Sequence, residues 1–111
     1  MDLHNYKQRL ERTLERLEKS EISDENKIWI HKLKDYCLCR NINHGKIESY
    51  VFYSMKFVNM LKKPIKEATK DDIVKVISQL NQTEMTEQSK VTFKVMVKRL
   101  YKIVRGLEDS D

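Results

Sequence analysis

The chain has 111 residues, a length that allows one domain with a single modest core, or one domain plus an extra helix. Two glycines and one proline are too few for the many tight turns of an all-β fold, so the composition predicts an all-α protein. The net charge of +5 is a moderate excess, and charge alone does not identify a nucleic-acid binder.

Localisation follows from hydropathy and cysteine content. No apolar run approaches the roughly 20 residues that are needed to cross a membrane. The first residues show no apolar core of a signal peptide, so we expect a cytoplasmic protein without a membrane partner. Cys37 and Cys39 are too close in sequence for an easy mutual bridge in a helix, and reduced thiols fit that compartment.

The first predicted helix covers residues 2–19. Its apolar residues recur at three- and four-residue spacing and form one stripe: Leu3, Tyr6, Leu10, Leu14 and Leu17. Charged residues fill the other faces. The stripe either packs on the domain or pairs with another chain, and it is too short to predict a coiled coil.

The next two helices lie on either side of the segment at 41–45. Ser23 or Asp24 is a plausible cap for a helix that runs to about Cys39. Its predicted core positions are Ile28, Trp29, Leu33, Tyr36 and Cys37, with Ile30 as a further position and Trp29 as the core anchor. A third helix runs from about His44 to Lys62, before Pro64. Its broad apolar face consists of Ile47, Tyr50, Val51, Tyr53, Ser54, Phe57, Val58 and Leu61.

Two more helices complete the chain. Thr69 followed by Asp72 predicts a capping box at the start of a short helix that ends near Leu80 and buries Ile73, Val76, Ile77 and Leu80. Thr86 caps a last long helix with a predicted buried side of Val91, Phe93, Val97, Leu100, Tyr101 and Val104. The acidic end after this helix is predicted to fray.

Positive charge concentrates in the last helix. Between Thr86 and Arg105, one anion, Glu87, stands against six cations: Lys90, Lys94, Lys98, Arg99, Lys102 and Arg105. A basic stripe of this kind is typical of a phosphate-binding surface. The alternative is an ordinary solvated helix face.

Two predicted helix starts are rich in polar side chains. The third helix opens with Asn43, His44, Gly45 and Lys46, and the fifth opens with residues 86–90 (TEQSK). Free N–H groups and the positive end of the dipole at a helix N-terminus favour phosphate, and small polar side chains there can contact phosphates or base edges. For any single residue, plain capping is the alternative.

No pattern of catalytic residues is recognisable, so we expect no enzyme activity, no cofactor and no small-molecule substrate. His31, Cys37, Cys39 and His44 are of the types that zinc prefers. However, alternate positions on a helix point to different faces, so Cys37 and Cys39 do not make a convincing ligand pair, and no metal site is predicted.

Residues 26–102 resemble the N-terminal core-binding domain of the phage integrase (tyrosine recombinase) family. Three segments match the family pattern in order: residues 41–50 (NINHGKIESY), residues 65–73 (IKEATKDDI), and the helix start at 85–89 (MTEQS) that leads to Leu100 and Tyr101. The chain departs from the pattern at Asn43, where a small hydroxyl residue is usual, and at Lys46, where threonine is usual.

The resemblance implies an orthogonal four-helix SAM-like bundle over residues 23–105, with an additional N-terminal helix in 1–22 and a linker or tail at 106–111. It also implies a module that grips duplex DNA, while a separate catalytic domain, absent from these residues, would carry the strand-transfer chemistry. Other recombinase protomers are possible partners. The candidate DNA-binding residues are Asn43, His44, Lys46, Ser49, Thr86, Gln88, Ser89, Lys90, Lys94, Lys98 and Lys102. Tyr50 and Tyr101 are predicted to be core residues.

A second hypothesis is a helical protein-interaction module. SAM-like bundles also bind proteins, because a fold does not determine a function. The partner surface would then be the leucine stripe of residues 3–17.

Overall fold

The computed structural model describes residues 5–106, which form five α-helices and no strand. The helices are α1 (Tyr6–Lys19), α2 (Asp24–Cys39), α3 (His44–Leu61), α4 (Lys70–Asn81) and α5 (Glu87–Val104), with a 3-10 turn at Ile65–Glu67. The all-α prediction is therefore confirmed over these residues. None of these helices is long and apolar enough to cross a membrane. Leu3 and the predicted tail beyond Gly106 lie outside the described residues.

The predicted helix starts carry the side-chain caps that their sequences indicate. Ser23 caps α2, because its Oγ accepts a hydrogen bond from the Asn26 N–H at 3.2 Å. Thr69 and Asp72 form the capping box of α4: the Asp72 N–H donates to Thr69 Oγ1, and the Thr69 N–H donates to Asp72 Oδ2 at 2.9 Å. Thr86 caps α5 in the same way, by accepting from the Ser89 N–H. These short-range signals predict helix starts well because both partners lie within one turn.

Helix α3 lies at the centre of the fold, because it packs against each of the other four helices. Its buried residues are Ile47, Tyr50, Val51, Ser54, Phe57, Val58 and Leu61, as predicted, while Tyr53 is half-buried. Lys62 ends the helix in the left-handed conformation, two residues before Pro64. The sequence therefore predicted the most buried element correctly.

The predicted core faces of α2 and α5 need correction. Ile28 is 55% exposed, whereas Trp29 is half-buried, packs against the core cluster and has the Lys32 ammonium over its ring. The buried stripe of α2 is Asn26, Ile30, Leu33 and Cys37, which has regular helical spacing. On α5, Val91 is 53% exposed, and Tyr101 and Val104 are only half-buried. The buried residues there are Phe93, Met96, Val97, Leu100 and Ile103.

The N-terminal helix α1 packs along α3 and contributes to the same core. Leu10 and Leu17 are buried in the cluster that includes the apolar residues of α3. Between them, the buried Thr13 donates a hydrogen bond from Oγ1 to Glu48 Oε2 on α3 at 3.0 Å. Leu10 and Leu17 are therefore not exposed, so the leucine stripe does not offer these side chains to a partner in this conformation.

Candidate nucleic-acid interface

Three lysines form a row on the exposed side of α5. Lys94, Lys98 and Lys102 are all exposed and stand one helical turn apart, so that successive residues are separated by about 6 Å along the axis. No carboxylate of the described residues lies within ion-pairing distance of these three ammonium groups. The row is therefore a concentration of uncompensated positive charge, which attracts anions from solution.

The row continues onto α3 through a buried tyrosine. Tyr50 is 3% exposed, as predicted for a core residue. The Lys46 Nζ atom, from the first turn of α3, and the Arg99 Cζ atom, from α5, each lie 5.9 Å from the centroid of its ring. Since Tyr50 holds a cation from each helix at its ring, the start of α3 and the middle of α5 belong to one positively charged surface.

A depression on this surface lies between α5 and α2. Its volume is about 340 Å³, and it is lined by Tyr36, Val95, Lys98, Arg99 and Lys102. The Arg40 guanidinium lies over the Tyr36 ring at 4.8 Å. The sequence does not indicate Arg40 as part of this surface, because it stands far from the cationic run of α5 along the chain and only the packing of α2 against α5 brings it near.

We call one surface the cation face; it is formed by Arg40, Lys46, Lys94, Lys98, Arg99 and Lys102. It contains four of the predicted site residues and two arginines that the prediction did not include. Arg99 belongs to the cationic run of α5 and directly follows Lys98, so its position in the sequence could have placed it in the predicted site. Both arginines lie within cation–π distance of an aromatic ring, Arg40 at 4.8 Å from the Tyr36 centroid and Arg99 at 5.9 Å from the Tyr50 centroid.

Polar side chains at the start of α3 are largely engaged within the protein. Asn43 Oδ1 accepts a hydrogen bond from the Lys46 N–H at 2.9 Å, and Ser49 Oγ donates to the Gly45 carbonyl. Gly45 abuts α1, because a Cβ atom there would lie 3.1 Å from the Tyr6 ring. His44, the first residue of α3, is half-buried. Asn43, Gly45 and Ser49 thus have structural roles, and Lys46 is the residue here whose charge projects to the cation face.

At the start of α5, too, some of the polar side chains are engaged within the protein and others are exposed. Thr86 is the cap, and the Lys90 Nζ atom donates to the Asn81 carbonyl at 3.2 Å and lies 3.6 Å from Glu87 Oε1. The Lys90 side chain is only 12% exposed, so its charge serves to hold α5 against the end of α4. Gln88 is exposed and Ser89 half-buried.

The structure does not bring the two polar helix starts together. Tyr50 faces Arg99, whereas Phe57 contacts Phe93 with ring centroids 6.3 Å apart. Rising numbers on α3 therefore match falling numbers on α5, and the two helices run antiparallel. The start of α5 lies roughly 20 Å along its axis from the level of Lys46, and the lysine row spans the distance between them.

The cysteines and histidines of the types that zinc prefers have different surroundings in the structure. Cys37 is buried in the core and Cys39 is exposed. Burial raises the pKa of the Cys37 thiol, although the nearby Arg99 guanidinium acts in the opposite direction. His31 hydrogen-bonds to Glu18 of α1. In the part of the chain that the structure describes, no group of three or more His, Cys, Asp or Glu side chains is placed to hold a metal ion.

Comparisons of this chain with protein-family models, with curated proteins and with solved structures found no significant match. The likeness to the tyrosine recombinase family therefore depends on the three segments within residues 26–102 alone. A proposal for the function of the protein therefore has to be argued from the chemistry of its own surface.

Proposed function

We propose that this protein is a DNA-binding module that grips duplex DNA with its cation face, of the kind found at the N-terminal side of tyrosine recombinases. In this proposal α2–α5 correspond to the orthogonal SAM-like bundle and α1 is the additional helix. The module itself carries no strand-transfer chemistry. Other recombinase protomers are its expected protein partners, and the cytoplasm is its expected compartment.

One observation carries the proposal: Lys46 of α3 and the α5 cations Lys94, Lys98, Arg99 and Lys102 converge on one surface, and no carboxylate of the described residues forms an ion pair with them. Lys46 of α3 and Arg99 of α5 share the Tyr50 ring, while Lys98 and Lys102 border the same depression as Arg99. The DNA backbone is a regular array of negative charges, and its neutralisation by Lys and Arg with release of counterions is the main source of sequence-independent affinity.

The lysine row of α5 and Gln88 can contribute differently to DNA binding. Lysines of the α5 row are flexible point charges, which suit phosphate contacts that position the module without reading sequence. Gln88, at the start of α5 and outside the cation face, is an exposed predicted residue whose amide can read a base edge, because glutamine can pair with adenine through two hydrogen bonds. Any sequence preference is therefore expected to depend more on Gln88 than on the lysine row.

The first test is the salt dependence of binding to a random-sequence duplex, measured by fluorescence anisotropy. With four to five phosphate contacts, the logarithm of the association constant should fall with the logarithm of salt concentration with a slope of about −4. The double variant Lys98→Glu/Lys102→Glu should weaken binding about tenfold or more and make the slope shallower by about 2, because two contacts are lost.

The matched control is Lys66→Glu/Lys75→Glu. It changes the net charge by the same amount, and both lysines are exposed and line neither of the depressions that the cation face borders. Equal weakening by the two double variants would mean that net charge alone drives binding, and the cation face would be abandoned. Absence of binding at low salt would reject the proposal as a whole.

A further inference from the structure

A second surface feature lies on the other side of the lysine row. Helices α4 and α5 border an apolar groove of about 780 Å³. Its apolar lining consists of Ile73, Val74 and Ile77 from α4 and of Val97 and Tyr101 from α5. Val97 is almost fully buried, but Val74 is 61% exposed. An aliphatic side chain so exposed next to half-buried neighbours marks a surface that a partner can cover.

The rim of this groove is entirely cationic. Lys70 stands at the α4 end, Lys94, Lys98 and Lys102 follow the α5 edge, and within residues 5–106 no carboxylate lines the groove. Asp72, which lies close in sequence, is engaged by Lys63 at 2.9 Å and by the cap of its own helix. An occupant with apolar side chains on one face and negative charge on its flank would therefore match both parts of the site.

The spacing of the lining residues indicates the shape of that occupant. On α4 the lining positions recur as 70, 73, 74 and 77, and on α5 as 94, 97, 98, 101 and 102. Each helix thus offers one continuous stripe to a trough about 12 Å long. A third helix with about two turns in contact fits such a trough, with its own apolar stripe between the two existing stripes.

We propose that the groove between α4 and α5 is a docking site for an acidic amphipathic helix of a partner protein. The apolar stripe of that helix covers Val74, Ile77 and Tyr101, and its acidic flank faces Lys94, Lys98 and Lys102. The cation face shares the same three lysines. The helix and DNA are therefore expected to compete, although the docking site does not depend on the proposed DNA binding.

Two other occupants are less suited to this site. Nucleic-acid interfaces are polar, and DNA would leave the exposed aliphatic side chains of α4 without a partner. A membrane surface is met by several apolar side chains that project beyond their surroundings. Of the apolar residues that line this groove only Val74 is exposed, while Ile73, Ile77 and Tyr101 are half-buried and Val97 is buried.

The test uses a fluorescein-labelled peptide of about 18 residues with leucines on one helical face and glutamates on both flanks. Binding by anisotropy should be about tenfold tighter for this peptide than for a version with lysines in place of the glutamates. Val74→Asn should weaken binding about fivefold or more, because it removes apolar contact without adding charge. Val91→Asn is the matched control, since Val91 is similarly exposed but lies outside the groove.

Several outcomes would overturn the docking site. One is no binding of the acidic peptide at about 100 μM, far above the dissociation constants typical of specific recognition. Another is an equal effect of Val74→Asn and Val91→Asn. If the protein bound phosphatidylglycerol vesicles but not the peptide, and Val74→Asn weakened the vesicle binding, the groove would be assigned to membranes instead. DNA affinity should be unchanged in Val74→Asn, so loss of peptide binding is separable from loss of DNA binding.

Discussion

Asn26 joins two distant segments inside the helical core. Its Oδ1 accepts a hydrogen bond from the buried Ile65 N–H at 2.9 Å, and its Nδ2 donates to the Lys63 carbonyl. We expect Asn26→Ala to lower the free energy of unfolding by about 1–3 kcal/mol, because the Ile65 N–H loses its partner where water does not replace it. Urea unfolding followed by circular dichroism measures this change.

The control for this substitution is Asn59→Ala on the exposed side of α3. It removes an amide of the same size from a surface position and should leave the free energy of unfolding nearly unchanged. If both variants lost the same stability, the hydrogen bonds of Asn26 would have no special weight.

The segment at 41–45 shows what a single residue's identity does and does not predict. The sequence indicates a turn there, and Asn41 does adopt the left-handed conformation with φ of 60°. Gly45 is not the residue that turns the chain. Its missing side chain makes room for the ring of Tyr6, a contact between helices that no local pattern contains.

At the scale of single elements, the capping box of α4 should make stability depend on pH. The bonds from the Thr69 backbone N–H and then from the Lys63 ammonium hold the pKa of Asp72 at about 2, below its ordinary value of 3.8. A carboxylate with a lowered pKa stabilises the folded state above its unfolded pKa. We therefore expect this contribution at neutral pH and its progressive loss as the pH falls from about 4 towards 2.

Asp72→Asn tests this expectation. The variant should be less stable than the parent at neutral pH, and the difference should shrink towards zero near pH 2, as measured by urea unfolding at a series of pH values. Asp71→Asn, which changes the neighbouring exposed carboxylate outside the box, should leave the slope between about pH 4 and 2 unchanged. A constant difference across this range would assign the effect of Asp72→Asn to helix propensity.

The starts and ends of the helices were predictable from the sequence, but which side of each helix is buried was predictable only in part. The caps of α2, α4 and α5 depend on residues within one turn, and the sequence contains both partners. On α2, apolar residues lie on more than one side, so hydrophobicity alone did not distinguish Ile28 from Ile30. The position of α3 decides which side is buried, and Asn26, a polar residue, belongs to the buried stripe.

At the scale of the whole molecule, the candidate site was predicted to the extent that it lies on one helix. The lysine row of α5 follows from its spacing in the sequence. The meeting of Lys46 with Arg99 at Tyr50, and the approach of Arg40, depend on how α2, α3 and α5 pack. The hydrogen bond from Lys90 to the Asn81 carbonyl is also a tertiary contact. It makes Lys90 a weaker candidate for DNA binding than the charge pattern indicates.

The packing of α1 on α3 implies that the N-terminal helix belongs to the same cooperative core and is not a separate arm. Leu17 is fully buried, so Leu17→Ala should lower the free energy of unfolding by about 2–5 kcal/mol through lost burial and the cavity left behind. Leu38→Ala is the matched control, because Leu38 is 43% exposed on α2 and its truncation leaves no cavity. Thermal unfolding of both variants, followed by circular dichroism, should give one transition, with a large decrease in midpoint for Leu17→Ala alone. A helix that swings free of the bundle would instead tolerate Leu17→Ala as well as Leu38→Ala, and the leucine stripe would again be open to a partner.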